Sequence, residues 1–187
     1  MLSGNVFRRY FASSLSATAS DVRADLWSDP VQVELTTKDP TAAGLLLEQY
    51  KIYVEMADRI SARRGTTNAF FLSLNSAIFA AIGFVWGRET HPSSSWILIF
   101  PMIVFVAQCL SWFWLVRSYR QLNGAKYAVV GAMEERLPAS PYWRAEWKAL
   151  GEGKDPAIYW PLTHLEQWVP LLFALVYLGG FIALMVA

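Results

Sequence analysis

The sequence predicts an all-α membrane protein with three transmembrane helices, long cytosolic helical extensions, an N-terminus inside the cell and a C-terminus outside. Three observations lead to this fold class. Three stretches stay almost free of charge for the about 20 residues that a helix needs to cross a bilayer. Apolar residues continue at helical spacing beyond two of these stretches. All but one of the 16 Lys and Arg residues fall on one side of the predicted membrane.

Residues 1–42 are expected to form a polar N-terminal tail, with Pro30 and Pro40 as breakers of regular structure. The first 20 residues are basic and rich in Ser and Ala, as in a transit peptide, but a solvated tail is the favoured interpretation. Within the tail, "VQVEL" alternates apolar and polar residues, which predicts a short strand. The sequence offers it no convincing partner strand, so it is either a lone extended segment or pairs with another subunit.

Residues 43–65 are predicted to form a cytosolic stalk helix that carries two apolar stripes. The first stripe recurs at spacings of three and four residues and comprises Leu46, Tyr50, Tyr53, Ala57 and Ile60. The second stripe flanks it and comprises Leu45, Ile52 and Met56. A helix with two apolar faces needs more than one neighbour, so this stalk is expected to contact more than one element.

The three transmembrane helices are predicted at residues 66–87, 95–116 and 167–187. The stalk is expected to run into the first of them, and the second to continue helically to about Leu137. A cytosolic helical region is predicted over residues 117–166, with a short helix at 141–150. Thr163 and Glu166 have the spacing of a capping box, so the third helix is expected to start near His164. Pro170 is expected to kink it.

The Lys and Arg residues predict the orientation of the chain. Arg63 and Arg64 precede the first span, and Arg117 and Arg120 follow the second, whereas the connector between these spans carries only Arg88. The N-terminus and residues 117–166 are therefore expected in the cytosol. Near the inner interface, the sequence brings together four candidates for an interfacial or switching role: His164, Glu166, Arg117 and Arg120.

Polar and small residues inside the spans are the candidates for helix packing and oligomer contacts. Asn75 and Gln108 each need a hydrogen-bond partner in hydrocarbon. The first span also carries a row of small residues at spacings of three and four, namely Ser76, Ala80, Gly83 and Gly87. Packing of this row within one subunit and packing between subunits both remain open. Tyr50 and Tyr53 of the stalk are further candidates for such contacts.

No catalytic, cofactor-binding or metal-binding residues are predicted. "GEGKD" lacks the spacing of a phosphate-binding loop, and the acidic pair Glu134 and Glu135 is expected to be solvated. His91 and His164 are predicted on opposite sides of the membrane, and Cys109 is the only cysteine. A net charge of +1 gives no indication of a nucleic-acid partner.

Three phrases carry a resemblance to a known family. They are "LLLEQYKIYVEMADRISARRGTTNAFFLSLN", "YRQLNGAKYAVVGAMEERLPASPYWRAEWKALGEGKD" and "YWPLTHLEQWVP". Together they resemble the RipA-type family of small octameric bacterial inner-membrane proteins, over roughly residues 44–187. The resemblance implies a homo-octameric ring or bundle in the bacterial cytoplasmic membrane, in contact with lipids and with helical parts in the cytosol. It implies no catalytic residue.

These observations favour a non-enzymatic, homo-oligomeric inner-membrane protein whose cytosolic helices act as a scaffold or sensor. Two other hypotheses stay open. One is a channel or a membrane-disrupting effector that is gated from the cytosol. The other is a membrane enzyme that acts on lipids or envelope precursors, which would need perturbed titratable residues gathered in one cleft.

Overall fold

The computed structural model describes residues 18–27, 40–86, 98–153, 158–159 and 162–186. All regular structure within these ranges is helical, as predicted. Four helices organise the chain: α1 (Ala19–Leu26), α2 (Pro40–Trp86), α3 (Ile99–Glu134) and α4 (Leu162–Val186). The strand predicted at "VQVEL" lies outside the described residues.

Helix α1 lies inside the segment that was expected to be a polar tail, so this helix was not predicted from the sequence. Thr18 precedes it with an extended backbone, and both its backbone N–H and its hydroxyl donate to Asp21 Oδ2, at 2.8 and 2.7 Å. These hydrogen bonds lower the pKa of Asp21, the backbone bond contributing more. The carboxylate thus caps the first turn and favours the helix start at this point.

Helix α2 is continuous for 47 residues and covers both the predicted stalk and the first predicted span. Gly65, which could have interrupted it, has helical neighbours on both sides and open space around it. Helix α3 is likewise continuous for 36 residues and extends past the end of the second predicted span. Each of the two long helices therefore joins an uncharged apolar part to a charged part, and the helix is continuous between them.

After α3 the chain turns and forms short helical segments. A π-helical turn spans Pro141–Glu146, an α-helical turn spans Trp147–Ala149, and a 3-10 turn spans Gly151–Gly153. The expected short helix therefore exists but begins with π-helical geometry. Gly151 (φ 63°) and Glu152 (φ 54°) end it in the left-handed region, which Gly adopts at no steric cost.

Helix α4 begins at Leu162, so Thr163 lies inside the helix and is not its N-cap. The predicted capping box is wrong for a second reason, because the carboxylate of Glu166 reaches Arg64 instead. Pro170 lies inside α4 and is fully buried.

The chain divides into two compact units. The polar unit comprises Met1–Ile60 and Gln121–Tyr159, and the apolar unit comprises Ser61–Arg120 and Trp160–Ala187. In the polar unit the buried apolar residues include Ala57 and Ile60 of α2, with Ala128, Val130, Ala132 and Met133 of α3. In the apolar unit Cys109, Ala174 and Tyr177 form the centre of the core, and Ile78, Phe79, Phe105 and Phe173 pack against it.

Three of the described helices are long and apolar enough to cross a membrane. The apolar windows fall within Pro40–Phe84, Ile99–Glu134 and Leu165–Val186. Large apolar side chains of these helices point away from the core of the apolar unit, among them Phe70, Phe84, Phe100, Leu175 and Ile182. An apolar exterior of this kind suits hydrocarbon and does not suit water.

Candidate functional site: two buried polar clusters

Glu134 ends α3 with an almost fully buried side chain, and its carboxylate accepts four hydrogen bonds. The hydroxyl groups of Tyr50 and Ser140 donate to Oε1 at 2.9 Å and to Oε2 at 2.6 Å. The backbone N–H groups of Tyr142 and Trp143 donate to Oε1 at 3.1 Å and to Oε2 at 3.0 Å. The expectation of a solvated Glu134 is therefore wrong, because protein donors take the place of water around this carboxylate.

The local fold explains why a carboxylate sits there. Tyr142 and Trp143 belong to the first turn of the π-helical segment, and the N–H groups at a helix start have no partner within the helix. They also carry a partial positive charge that attracts an anion. Glu134 supplies that anion from the preceding helix, and Ser140 supplies a hydroxyl from the intervening turn. The carboxylate thereby closes the α3–turn segment onto itself.

Tyr50 connects the same carboxylate to α2. Burial raises the pKa of Tyr50, and the hydrogen bond to Glu134 raises it further. The phenol therefore stays protonated and acts as a donor. Nearby, the ammonium group of Lys126 lies 4.4 Å from the centroid of the Tyr53 ring, although Lys126 is only 8% exposed. The structure thus places Tyr50 and Tyr53 in contacts with α3 of the same chain.

A close approach between α3 and the π-helical turn depends on Gly131. A Cβ atom added at this position would lie 2.6 Å from Cδ2 of Trp143, which is shorter than any ordinary carbon–carbon contact. Only glycine allows the indole to lie flat against the helix backbone here. The packing of the Trp143 indole on Gly131 and the hydrogen bonds to Glu134 therefore both attach the π-helical turn to α3.

Helix α1 docks on the residues that directly follow Glu134. The guanidinium of Arg23 forms an ion pair with Glu135, and this hydrogen bond raises the pKa of Arg23. The guanidinium of Arg136 lies 3.8 Å from the centroid of the Trp27 ring. Burial is the main reason that the pKa of Arg136 is lowered. An ion pair and a cation–π contact thus attach α1 and the residue that follows it to the two residues after α3.

Asn75 is the centre of the second cluster, which lies in the apolar unit. Its side chain is fully buried, and its Oδ1 accepts a hydrogen bond of 2.8 Å from the hydroxyl of Tyr177. Its Nδ2 donates to the backbone carbonyl of Phe71 at 2.7 Å, and Cys109 Sγ approaches Oδ1 at 3.9 Å. One amide therefore links α2, α3 and α4, and it is satisfied without water.

A second polar contact joins α2 and α3 in the same unit. The indole Nε1 of Trp112 donates to Oδ1 of Asn68 at 2.9 Å. The Trp112 ring stacks on Phe71 with centroids 5.5 Å apart. Phe71 thus receives a hydrogen bond on its backbone and a stacked ring on its side chain. Two side-chain hydrogen bonds between helices, Tyr177 to Asn75 and Trp112 to Asn68, therefore lie among packed aromatic rings in the apolar unit.

The charged residues that were predicted near the inner interface form contacts within the apolar unit. Arg64 Nε lies 3.2 Å from Glu166 Oε2, in an ion pair whose N–H is not aligned for a hydrogen bond. Arg120 Nη1 donates to Gln167 Oε1 at 3.2 Å, and its pKa is lowered by burial and by the charge of Arg117. Arg117 itself lies 5.8 Å from the ring centroid of Trp114. The side chain of His164 lies outside the described side chains.

The described part of the small-residue row is exposed in the apolar unit. Ser76, Ala80 and Gly83 are exposed, and no described atom beyond the adjoining backbone of α2 lies within 4 Å of a Cβ built on Gly83. The Ser76 hydroxyl donates to the carbonyl of Leu72 in its own helix, at 2.9 Å. Gly87 lies outside the described residues. Among the described residues, no neighbouring helix packs on this part of the row, and contact with lipid or with another subunit stays a prediction.

Gln108 differs from Asn75 in the state of its amide. The side chain is half-buried, and its Nε2 is shielded from solvent without a hydrogen-bond partner in the part of the chain that the structure describes. An amide donor in hydrocarbon carries a desolvation cost until it finds an acceptor. Of the two amides predicted to matter in the spans, only Asn75 is satisfied by these described residues.

The two clusters are chemically suited to holding helices in register. Within the described ranges, no three His, Cys, Asp or Glu side chains lie close enough together to hold a metal ion. The buried groups of both clusters instead donate to or accept from one another across helices. Satisfied buried networks of this kind favour one arrangement of the surrounding elements over others.

The sequence carried signals for some of the residues that were missed. "TASD", from Thr18 to Asp21, is a capping-box pattern that marks the start of α1. Ser140 and Pro141 mark the start of the π-helical turn, because Pro is favoured at the first position of a helix. Nothing in the sequence indicates that Glu134 reaches this helix start, since the intervening turn decides the geometry.

Comparison with known families agrees with the resemblance seen in the sequence. The family model described as "Octameric membrane protein family (8xMP)" matches residues 47–186. The match includes Tyr50, Asn75, Glu134 and Tyr177, and it leaves α1 outside. No curated protein and no solved structure matches the chain. A match that covers most of the chain and three apolar helices of spanning length together place it: the chain belongs to the octameric membrane protein family.

Proposed function

We propose that the protein is a non-catalytic scaffold subunit of a homo-octamer in the bacterial inner membrane, with its polar unit in the cytosol. The observation that carries this proposal is the buried carboxylate of Glu134 with its four hydrogen bonds. A buried acid that serves catalysis needs access to a substrate. Glu134 is instead surrounded by donors of its own chain, and it fixes the conformation of the polar unit.

The membrane location and the self-association follow from the family and from the three apolar helices. The cytosolic placement of the polar unit is supported by the distribution of Lys and Arg, which is the main determinant of orientation in inner membranes. Eight polar units would then lie on one side of the membrane. A surface repeated eight times favours multivalent binding, in which weak single contacts add up to stable attachment.

The scaffold role also depends on a fixed surface. The π-helical turn that follows α3 is held by Glu134 and by the contact of Trp143 with Gly131. A surface of this kind loses little conformational entropy when a partner binds to it. This supports a scaffold over an element that must move to gate a pore.

An ion-flux measurement on the purified octamer in liposomes tests the proposal against a channel. The particle mass is first determined by native mass spectrometry, so that flux is measured on a sample of known composition. A scaffold predicts potassium and proton leakage equal to that of protein-free liposomes, and an ionophore added at the end shows that a gradient was present. Leakage that rises with the number of octamers per liposome would contradict the proposal and support the channel hypothesis.

A further inference from the structure

The second apolar stripe of α2 is not covered by the described residues of the polar unit. Leu45, Ile52 and Met56 are 64%, 57% and 44% exposed, whereas Tyr50 and Tyr53 of the first stripe contact α3. Two ion pairs on the same stretch of helix have N–O distances of 2.7 Å and join Glu48 to Lys51 and Glu55 to Arg59. This density of charge excludes a hydrocarbon environment for this part of α2. Neither lipid nor the described part of its own chain therefore covers the stripe.

A second exposed apolar patch of the polar unit is aromatic. The rings of Tyr127 and Tyr142 lie with centroids 6.5 Å apart, and each residue is more than a third exposed. The position of Tyr142 is fixed by its backbone hydrogen bond to Glu134. The backbone of the Tyr127–Tyr142 pair is therefore fixed at both residues, by α3 at Tyr127 and by the Glu134 hydrogen bond at Tyr142.

The stripe and the Tyr pair belong to opposite flanks of the α2–α3 contact. At about 100° per residue, the stripe is centred about 80° to one side of Tyr53, and Tyr50 lies about 60° to the other side. Tyr50 bonds to Glu134, which also binds Tyr142. The Tyr pair therefore lies on the same side of the α2–α3 contact as Tyr50, and the stripe lies on the opposite side.

The symmetry of a membrane octamer requires two such faces. Subunits that are inserted in one orientation can be related only by rotation about an axis perpendicular to the bilayer. A ring of eight closed about that axis uses heterologous contacts, in which one face of a subunit meets a different face of the next. This requirement rests on the proposed function, because it assumes an octamer with one orientation in the membrane.

We propose that the stripe formed by Leu45, Ile52 and Met56 docks on the Tyr127–Tyr142 pair of the neighbouring subunit and closes the ring in the cytosol. Aliphatic side chains and a thioether pack well on aromatic rings, and Met adapts its shape to them. The partner is a second copy of this chain, because the family is octameric and every copy presents both faces. The polar unit thereby becomes an assembly domain.

Cysteine linking in native membranes tests this contact. The single native cysteine is removed by Cys109→Ala, and the pair Ile52→Cys with Tyr127→Cys is introduced. A short bismaleimide is used because a disulfide demands a narrower geometry. Heterologous docking predicts a ladder of linked species up to eight chains, and no ladder from either single-cysteine variant. Leu47→Cys with Tyr127→Cys is the matched control, because Leu47 is exposed on the same helix but lies off the stripe.

Three results would overturn the inference. They are linked dimers from Ile52→Cys alone, an equal ladder from the Leu47 control, and no ladder in a particle that native mass spectrometry shows to be octameric. Met56→Cys with Tyr142→Cys provides a second pair in case the first impairs assembly. A wild-type particle that is not octameric would refute the proposed function together with this inference, whereas an intact octamer without the link refutes this inference alone.

Discussion

Single residues join helices that apolar packing alone would leave free to slide past one another. Glu134 binds Tyr50 of α2 and the turn after α3, and Asn75 binds Tyr177 of α4 while its own backbone belongs to α2. In both clusters the polar atom is buried and has its partners at ordinary hydrogen-bond distances. A buried polar group is costly when one partner is removed, so these positions offer sensitive tests of the structure.

Glu134→Ala is expected to release the π-helical turn. The substitution leaves two hydroxyl groups and two backbone N–H groups without their acceptor, which costs about 3 kcal/mol. Amide hydrogen exchange at Trp143 should therefore accelerate by about 100-fold, since about 1.4 kcal/mol corresponds to a factor of ten. Glu135→Gln is the control, because Glu135 lies next in the chain and contacts only α1 among the described contacts. Unchanged protection at Trp143 in Glu134→Ala would contradict the role given to this carboxylate.

Asn75 and Tyr177 are expected to be coupled in a double-mutant cycle. Asn75→Leu and Tyr177→Phe each remove one side of the 2.8 Å hydrogen bond. Such bonds in membrane proteins contribute about 1 kcal/mol, so the double variant should be less destabilised than the sum of the singles by about that amount. Unfolding in mixed micelles measures all four proteins. Ser76→Ala is a nearly neutral control, and strict additivity of the pair would show that the bond contributes nothing.

At the scale of elements, α2 presents different faces to different surroundings. Tyr50 and Tyr53 of its first stripe contact α3, its second stripe is exposed in the polar unit, and the described part of its small-residue row is exposed in the apolar unit. In each unit, α2 thus contacts other described residues of its own chain with some side chains and exposes others. This is the pattern expected of a helix in an assembly, because a subunit must keep free the surfaces that its neighbours use.

Ala57→Asp tests whether the first stripe is an intrachain contact. Ala57 is 1% exposed, and an unpaired carboxylate at a buried position costs about 3–5 kcal/mol. The thermal midpoint of the purified protein should fall by about 10 °C. Ala43→Asp on the exposed first turn of α2 is the matched control, and it should be neutral because acids are favoured near helix N-termini. Equal midpoints for the two variants would place the first stripe outside the core.

The parts of the fold that periodicity encodes could be predicted from the sequence. The three apolar helices, the continuation of α2 and α3 beyond the spans and the apolar stripe that contains Tyr50 and Tyr53 all follow from spacing and charge. The position of Glu134 could not be predicted, because a nine-residue separation from Trp143 has no fixed geometry until the turn is known. The small-residue row indicates that another helix can approach α2 closely. The spacing of the row does not tell whether that helix belongs to the same chain or to another subunit.

At the scale of the whole molecule, the placement of Lys and Arg predicts the topology of the chain. A tag at the N-terminus should be protected from protease in intact spheroplasts, and a tag at the C-terminus should be accessible. Replacing Arg63 and Arg64 by Glu is expected to weaken this preference, because these two residues precede the first span. The measurement is tag accessibility before and after lysis. Both termini on one side of the membrane would rule out three membrane spans.

The most direct test of the scaffold account is an image of the wild-type particle in a nanodisc, at a resolution that shows helices. A scaffold octamer predicts eight copies in one orientation, polar units that contact one another on a single side of the membrane, and an axis without a continuous water path through the bilayer. A particle whose polar units stand apart, or whose axis is an open aqueous channel, would contradict it.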